Sequence, residues 1–430
     1  MKEFEKIPVN KVQRASKFVT TGVRIGGNYL KHYAKKLVNS DITREELHED
    51  NAKDIYQSLS ELKGSALKIA QMLSMDKNLL PSAYQQQFAM AQYSAPPLSY
   101  PLVAKTFQRY FGKSPDEIFD TFSHSASNAA SMGQVHKATL NGKNLAVKIQ
   151  YPGISDSVRS DLAMVKPIAL SMFKINPVEY EEFIQEVELR MMEETDYVLE
   201  LQRSMDLSQR TAHLKDLVFS KYYPEYSCSK ILVMDWLEGR PLGDVLKKPL
   251  PQGVGDMLGQ AMWDFYNFQI HELRALHADP HPGNFIITPD YKLGIIDFGC
   301  VKVIPEEFYN TYFELLDPSL LSDEARKESL FYKLRFIHPG DTKEDKAFFI
   351  SIFTEMVELL ARPFTVPVFD FSDEKYFAAL YSFGEDISHL KPFRESKKAR
   401  GVRDALYINR SYFGLYSILH DLGARIRTGA

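Results

Sequence analysis

Cysteine is nearly missing from this chain: among 430 residues only Cys228 and Cys300 occur, about seventy positions apart and in unrelated contexts. Two such thiols make neither a disulfide framework nor a metal-ligand cluster, and a reducing cytoplasm is the expected compartment. Long apolar runs are missing as well. No stretch approaches the roughly 18 uninterrupted apolar residues of a membrane span, and the opening Met-Lys-Glu-Phe-Glu-Lys is too charged for a secretory signal. A dominant charge is also lacking, since 52 basic side chains face 56 acidic ones. No global field therefore points to nucleic acid as a partner. Repeats and low-complexity segments are not seen. What remains, 44% hydrophobic and 25% charged residues, is the composition of a globular protein long enough for two or three compact units.

Residues 1 to about 112 carry helical signals almost exclusively. Thr43-Arg44-Glu45-Glu46 has the form of a capping box, and Leu59, Leu62, Ala66, Ile69, Met72 and Leu73 follow at steps of three and four, which predicts one long amphipathic helix. Pro81 opens another helix, and a further one runs from Leu102 to Phe111. Arg14 to Val38 mixes aliphatic and basic residues; it reads as a helix packed on its own protein, with a helix lying on a bilayer surface as the second reading.

After Ser123 the pattern changes. Gly133 to Leu140, a turn at Asn141-Gly142, and Leu145 to Ile149 predict a β-hairpin. Helix is predicted from about Pro177 to Gln209, strands at Leu217 to Phe219 and Ile231 to Trp236, and helix from Val254 to Leu276. Short strands follow at Phe285 to Thr288 and Leu293 to Ile296, and helices from Glu306 onward. The expected division is a helical extension over 1–112, a small mixed lobe over 113–238 and a larger helical lobe over 239–430.

The chemistry is concentrated in two loops. His277-Ala278-Asp279-Pro280-His281-Pro282-Gly283-Asn284 places Asp279 and Asn284 five apart, and Asp297-Phe298-Gly299 closes the strand that begins at Leu293. In kinase-like phosphotransferases a loop carboxylate faces the hydroxyl acceptor, an Asn five residues later binds magnesium, and an Asp after the next strand reaches the phosphates through metal. Either tripeptide alone is no more than a capped turn or a strand end. Together, in this order and spacing, they point to Asp279 as the catalytic carboxylate and to Asn284 and Asp297 as ligands of Mg2+ beside ATP.

Upstream, Lys148 in Ala146-Val147-Lys148 stands where a strand lysine meets the α and β phosphates, provided a helix glutamate holds it. The helix offers Glu186, Glu188, Glu193, Glu194 and Glu200, among which spacing alone does not choose, and most of them belong to a solvated face. Leu232 to Gly239 reads as the connection between lobes, with backbone groups near Asp235 and Leu237 facing adenine. Asn128 to Val135 stands where ordinary kinases carry a glycine-rich loop, yet holds one glycine, Gly133. Phosphate handling should differ accordingly.

These residues, with Leu67 to Ser74 upstream, resemble the UbiB family of atypical kinases from about residue 8 onward. The resemblance implies an α+β, bilobal protein-kinase-like fold, with a small mixed β/α N-lobe, a helical C-lobe and a helical extension packed over the cleft. Lys68 and Gln71 match the family's Lys-x-Gly-Gln motif, and Ala129, Ala130 and Ser131 its alanine-rich loop, so these three join the nucleotide-binding set. Glu194 and Asp196 match Glu-x-Asp, with Glu194 implied as the partner of Lys148, and Glu200 matches a further acidic position near the extension. Two departures stand out: Ala70 replaces the motif glycine, and Asn128 replaces the start of the alanine run.

The resemblance further implies ATPase or small-molecule kinase activity in support of isoprenoid-quinone or other prenyl-lipid synthesis. Prenyl lipids, quinone precursors and quinone-biosynthesis enzymes are its expected partners, with any membrane contact peripheral, at the inner membrane face. The residues agree in one respect: no Ala-Pro-Glu tripeptide follows Gly299, so the peptide-docking activation segment of ordinary kinases is not expected. Two other functions fit the motifs. One is a phosphotransferase acting on small hydroxyl compounds, whose loops also read His-x-Asp followed by Asn. The other is an ATP-gated binder of lipids or proteins with little turnover.

Overall fold

The Asn-Gly hairpin organises the first of two compact units. In the computed structural model, which describes residues 51–55, 68, 97–130, 132–173, 181–278, 280–390 and 400–429, strands β3 (Gly133–Leu140) and β4 (Lys143–Gln150) pair along their full lengths. Asn141 and Gly142 take φ of 51° and 74°, the left-handed pair that a two-residue hairpin turn requires. Strand β1 (Thr121–Phe122) and strand β2 (Asn128–Ala130) pair with different stretches of β3, and β6 (Ile231–Asp235) pairs with β4, all antiparallel.

This unit takes in the chain up to Gln202 and then Lys221–Trp236. The alternation along β6 assigns its two faces. Ile231 and Val233 join Val147, Ile149, Phe107 of helix α1 (Tyr100–Phe111), and Val187 and Met191 in one cluster, which also takes in Ala52. Leu232 and Met234 face the other way, onto Tyr197 and Tyr222. Helix α2 (Pro115–Ile118) is capped by the reciprocal Ser114–Glu117 box. Most of the predicted extension, including the Thr43 capping box, the Arg14 to Val38 segment and the Pro81 helix, lies outside the described residues.

In this unit two helical stretches depart from the sequence expectation. A 20-residue helix, α3 (Ile154–Phe173), occupies a region for which no element was predicted. The helix expected from Pro177 to Gln209 is instead two: α4 (Glu181–Glu194) and α5 (Tyr197–Arg210). Asp196 makes the break. Its side chain accepts from the backbone N–H groups of Val198 and Leu199, each at 3.1 Å, which caps a new helix instead of continuing the old one.

The second unit takes Arg203–Ser220 and the chain from Leu237. A four-stranded sheet runs in the order β5 (Leu217–Phe219), β10 (Leu293–Ile295), β9 (Phe285–Ile287), β7 (Arg240–Pro241), with only the β5–β10 pair parallel. Helix α6 (Leu242–Val245) and helix α7 (Val254–Phe268) follow β7. Where the sequence predicts helix to Leu276, the chain instead passes through one wide turn at Gln269–Leu273 and enters strand β8 (Ala275–His277). Arg274 takes the left-handed φ of 52° there, and the Gln269 side chain accepts from the His277 N–H at 2.9 Å.

Strand β11 (Val301–Val303) pairs with β8. Helices α8 (Glu306–Phe313), α9 (Glu324–Lys333), α10 (Lys343–Ala361), α11 (Glu374–His389) and α12 (Arg403–Asp421) complete the unit, with strands β12 (Val368–Asp370) and β13 (Arg425–Arg427) pairing across them in chain order. Its core gathers Met262, Phe265 and Tyr266 of α7, Leu415, Tyr416 and Leu419 of α12, and Phe331, Phe336 and Phe353.

Candidate functional site

In the first unit the chemistry lies on the face of β4 opposite the large cluster. Lys148 pairs in register with Leu232, so it points with Ala146 toward Tyr197 and Leu201. Its ammonium donates to both carboxylate oxygens of Glu200, at 2.7 and 3.0 Å, with the two side chains 9% and 1% exposed. The Tyr197 ring stands 5.1 Å away. Two residues further along the same face, Gln150 donates to the Thr195 carbonyl at 2.9 Å. Lys230 in turn donates to Gln150 at 2.5 Å and to Ser155 at 3.0 Å. The end of β4 is thereby tied to the junction between α4 and α5, where the acidic motif sits.

Lys148 thus pairs with Glu200, a position other than the Glu194 that the resemblance implied, and Glu194, at the C-terminal end of α4, pairs with Lys68 at 3.1 Å. The break at Asp196 is the reason: α5 restarts at Tyr197, and its first turn delivers Glu200 to the sheet face. A one-helix reading cannot anticipate this. Of the other acidic residues on α4, Glu186 and Glu193 meet Arg190 of the same helix at 2.9 and 2.8 Å, and Glu188 meets Arg159 of α3 at 2.9 Å.

Ala129 and Ala130 lie in β2, paired with Gln134 and Gly133. Ser131 and Gln71 lie outside the described residues, as does Ala70. Gly133 has a packing reason to be glycine that its sequence context did not disclose: a Cβ there would overlap the Ile149 carbonyl oxygen and come within 2.9 Å of the Tyr197 hydroxyl. At the end of β6, the Asp235 N–H donates to the Lys221 carbonyl at 2.8 Å, the Trp236 N–H to Asn144 at 2.9 Å, and the Asp235 carboxylate accepts from Tyr223 at 2.7 Å. The Asp235 amide is therefore already committed, and Leu237 opens the second unit.

In the second unit, Asn284 and Asp297 are brought to one end of the β9–β10 hairpin. Phe285 pairs with Ile295, and the Ile296 N–H donates to the Asn284 carbonyl at 3.2 Å, so Asp297 follows directly on the residue bonded to Asn284. Asp297 accepts from the Gly299 N–H at 2.8 Å through its side chain, and its carbonyl meets the His277 ring at 2.6 Å. His277, 1% exposed, also contacts the Tyr266 hydroxyl at 3.2 Å and faces Phe298 edge-on. Phe298 is fully buried and joins the core. A buried histidine and a buried phenylalanine thus hold the backbone from which Asp297 projects. Asp279 lies outside the described residues; Ala278 before it donates to the Cys300 carbonyl at 2.9 Å.

This is an α+β protein of two compact units, one built on an antiparallel sheet and one largely helical, with the loop order of kinase-like proteins. Residues 90–329 match the ABC1 atypical kinase-like domain, and the chain belongs to that family. The UbiB resemblance read from the motifs is met by this match and by relatives with aarF-domain and coq-8 names. A chloroplastic aarF domain-containing protein kinase of Arabidopsis thaliana is 30% identical over 68% of this chain and 42% of its own length. The probable serine/threonine-protein kinase abkA of Dictyostelium discoideum is 24% identical over 98% of this chain and 78% of its own. The mitochondrial atypical kinase coq-8 of Caenorhabditis elegans is 26% identical over 89% and 50%. Among solved structures, the Mycobacterium tuberculosis protein Rv3197 in complex with erythromycin aligns with a TM-score of 0.62 and 25% identity, covering 90% of this chain and 95% of that one. No helix among the described residues is long and apolar enough to cross a membrane.

Proposed function

We propose that the chain is an ATP-dependent atypical kinase or ATPase that uses Mg2+ and supports prenyl-lipid, in particular isoprenoid-quinone, synthesis. The observation that carries the reading is the convergence of Asn284 and Asp297 on one hairpin end, braced by buried His277 and Phe298. One amide oxygen and one carboxylate suit a hard cation that keeps water and takes its remaining ligands from phosphate. When bound, Mg2+ neutralises charge on the phosphates.

The remaining roles fall to the chain's own side chains. Lys148 binds phosphate oxygens, and Glu200 fixes the direction of its ammonium, so that little reorganisation is left when ATP arrives. Asp279 orients the attacking hydroxyl or water and accepts its proton. Leu237 and the end of β6 face adenine. Lys68 paired with Glu194 holds the extension motif beside the acidic α4–α5 junction, with Gln71, Asp196, Ala129, Ala130 and Ser131 completing the family-specific part. The quinone context rests on the UbiB resemblance and on relatives named as coq-8 kinases.

The test is ATP turnover by the full chain with and without vesicles containing a prenyl lipid. Wild type is expected to turn over ATP faster with lipid, and Asp297→Asn to lose turnover while keeping its circular dichroism spectrum. Equal hydrolysis by that variant would remove the assignment.

A further inference from the structure

Helix α12 makes two contacts that the nucleotide reading does not use, one on the loop that carries Asp279 and one on the strand that follows Asp297-Phe298-Gly299. At Gly414 the helix has no side chain, and Pro280 occupies the space: a Cβ there would lie 2.5 Å from Pro280 Cγ, 3.2 Å from its Cβ and 3.3 Å from its carbonyl oxygen. Pro280 is buried and is the residue covalently next to Asp279. Ten residues earlier on the same helix, Asp404 pairs at 2.7 Å with Lys302, whose side chain is 7% exposed and whose ammonium lies 5.2 Å from the Tyr407 ring. Lys302 is three residues beyond Gly299, in β11, and it pairs in register with Leu276 of the strand that leads to Asp279.

We infer that α12 is a positioning element for both loops: Gly414 seats Pro280, the residue that follows Asp279 in the chain, while Asp404, through Lys302, holds the strand that follows Asp297-Phe298-Gly299. Neither Gly414 nor Asp404 touches substrate in this account; each acts through another residue. The inference rests on the reading of Asp279 as the group that faces the acceptor. A helix glycine replaced by alanine ordinarily gains helix stability. A loss of turnover at Gly414→Ala with the helix intact therefore reports displacement of the loop, and a shift of about 1 Å in a reacting group costs on the order of 100-fold in rate.

Steady-state ATP turnover of the full chain is measured for wild type, Gly414→Ala, Pro280→Ala and the double variant, with kcat and KM determined separately. Gly414→Ala is expected to lower kcat between about 10- and 100-fold with KM for ATP within about twofold, because Lys148 and the adenine contacts are untouched. Pro280→Ala removes the Cγ that a Cβ at 414 would strike, so the double variant is expected to return to within about threefold of Pro280→Ala alone. Asp404→Asn, which adds no volume, is expected to lower kcat several-fold at unchanged KM, and it carries the test if Gly414→Ala does not fold. Wild-type kcat in both Gly414→Ala and Asp404→Asn, or a loss in Gly414→Ala that Pro280→Ala fails to relieve, overturns the inference alone. Absence of turnover in the wild type overturns the reading of the site, and the inference with it.

Discussion

Removing the carboxylate of Glu200 separates the two candidate partners of Lys148 in one experiment. The Lys148–Glu200 pair is almost completely buried, with both carboxylate oxygens accepting from the ammonium. Breaking such a pair from one side leaves a charge without compensation and costs about 3–5 kcal/mol. Glutamine retains a carbonyl oxygen able to accept from Lys148, so Glu200→Gln belongs near the lower end, about 3 kcal/mol. For a unit of this size that corresponds to a fall of roughly 6–12 °C in Tm for its unfolding step. Replacing both partners, as in Lys148→Met with Glu200→Gln, removes the stranded charge. The double variant should then be more stable than the sum of the single losses, with a coupling of about 2 kcal/mol. Calorimetric scans of the four proteins give this number directly. The same cycle run with Glu194→Gln should give a smaller coupling to Lys148, because the carboxylate of Glu194 pairs with Lys68. A coupling of Lys148 to Glu194 that equals or exceeds its coupling to Glu200 would refute the assignment.

Two further outcomes follow from packing and protonation. Gly133→Ala forces a methyl group against the Ile149 carbonyl and the Tyr197 hydroxyl and should destabilise the first unit by about 1–3 kcal/mol, measurable as a lowered denaturation midpoint; an unchanged midpoint would contradict the packing argument. Burial, with the nearby Arg274 second, holds the His271 imidazole down at about 4, while its ring contacts the Tyr309 and Tyr412 hydroxyls and the Phe313 ring. The unfolded chain therefore takes up this proton near pH 6.5 and the folded chain only near pH 4. Stability is full above about pH 6.5 and declines as pH falls toward 4, by at most about 3 kcal/mol. Thermal scans from pH 7 to 4 should show a shallower decline in His271→Gln than in wild type, and parallel curves would reject the argument.

Local grammar reveals some parts of this molecule and hides others. The hairpin around Asn141-Gly142 is legible because only a left-handed two-residue turn joins its apolar runs, and the strands at Leu217 and Leu293 are legible from their apolar bounds. The loop residues Asn284 and Asp297 can be picked out by order and spacing, since their proximity arises from a short hairpin. The partner of Lys148 is not legible, because it depends on where one helix stops. Asp196 caps a new helix there, but a continuous helical pattern from Pro177 to Gln209 conceals the break. Strand β8 is likewise hidden, as the left-handed turn at Arg274 and the Gln269 bond to the His277 backbone are tertiary choices that a helical pattern through Leu276 does not disclose. The roles of Gly133 and Gly414 are invisible in sequence for the same reason: each is defined by an atom 16 residues away (Ile149) or 134 residues away (Pro280).

The most direct test of the nucleotide reading is ATP turnover titrated with Mg2+ in wild type, Asn284→Ala and Asp297→Asn. If these two oxygen donors hold the cation, wild type turns over ATP only when Mg2+ is present, Asn284→Ala needs markedly more Mg2+ to reach half of its maximal rate, and Asp297→Asn stays inactive at every concentration. Superimposable Mg2+ titrations for the three proteins would contradict it.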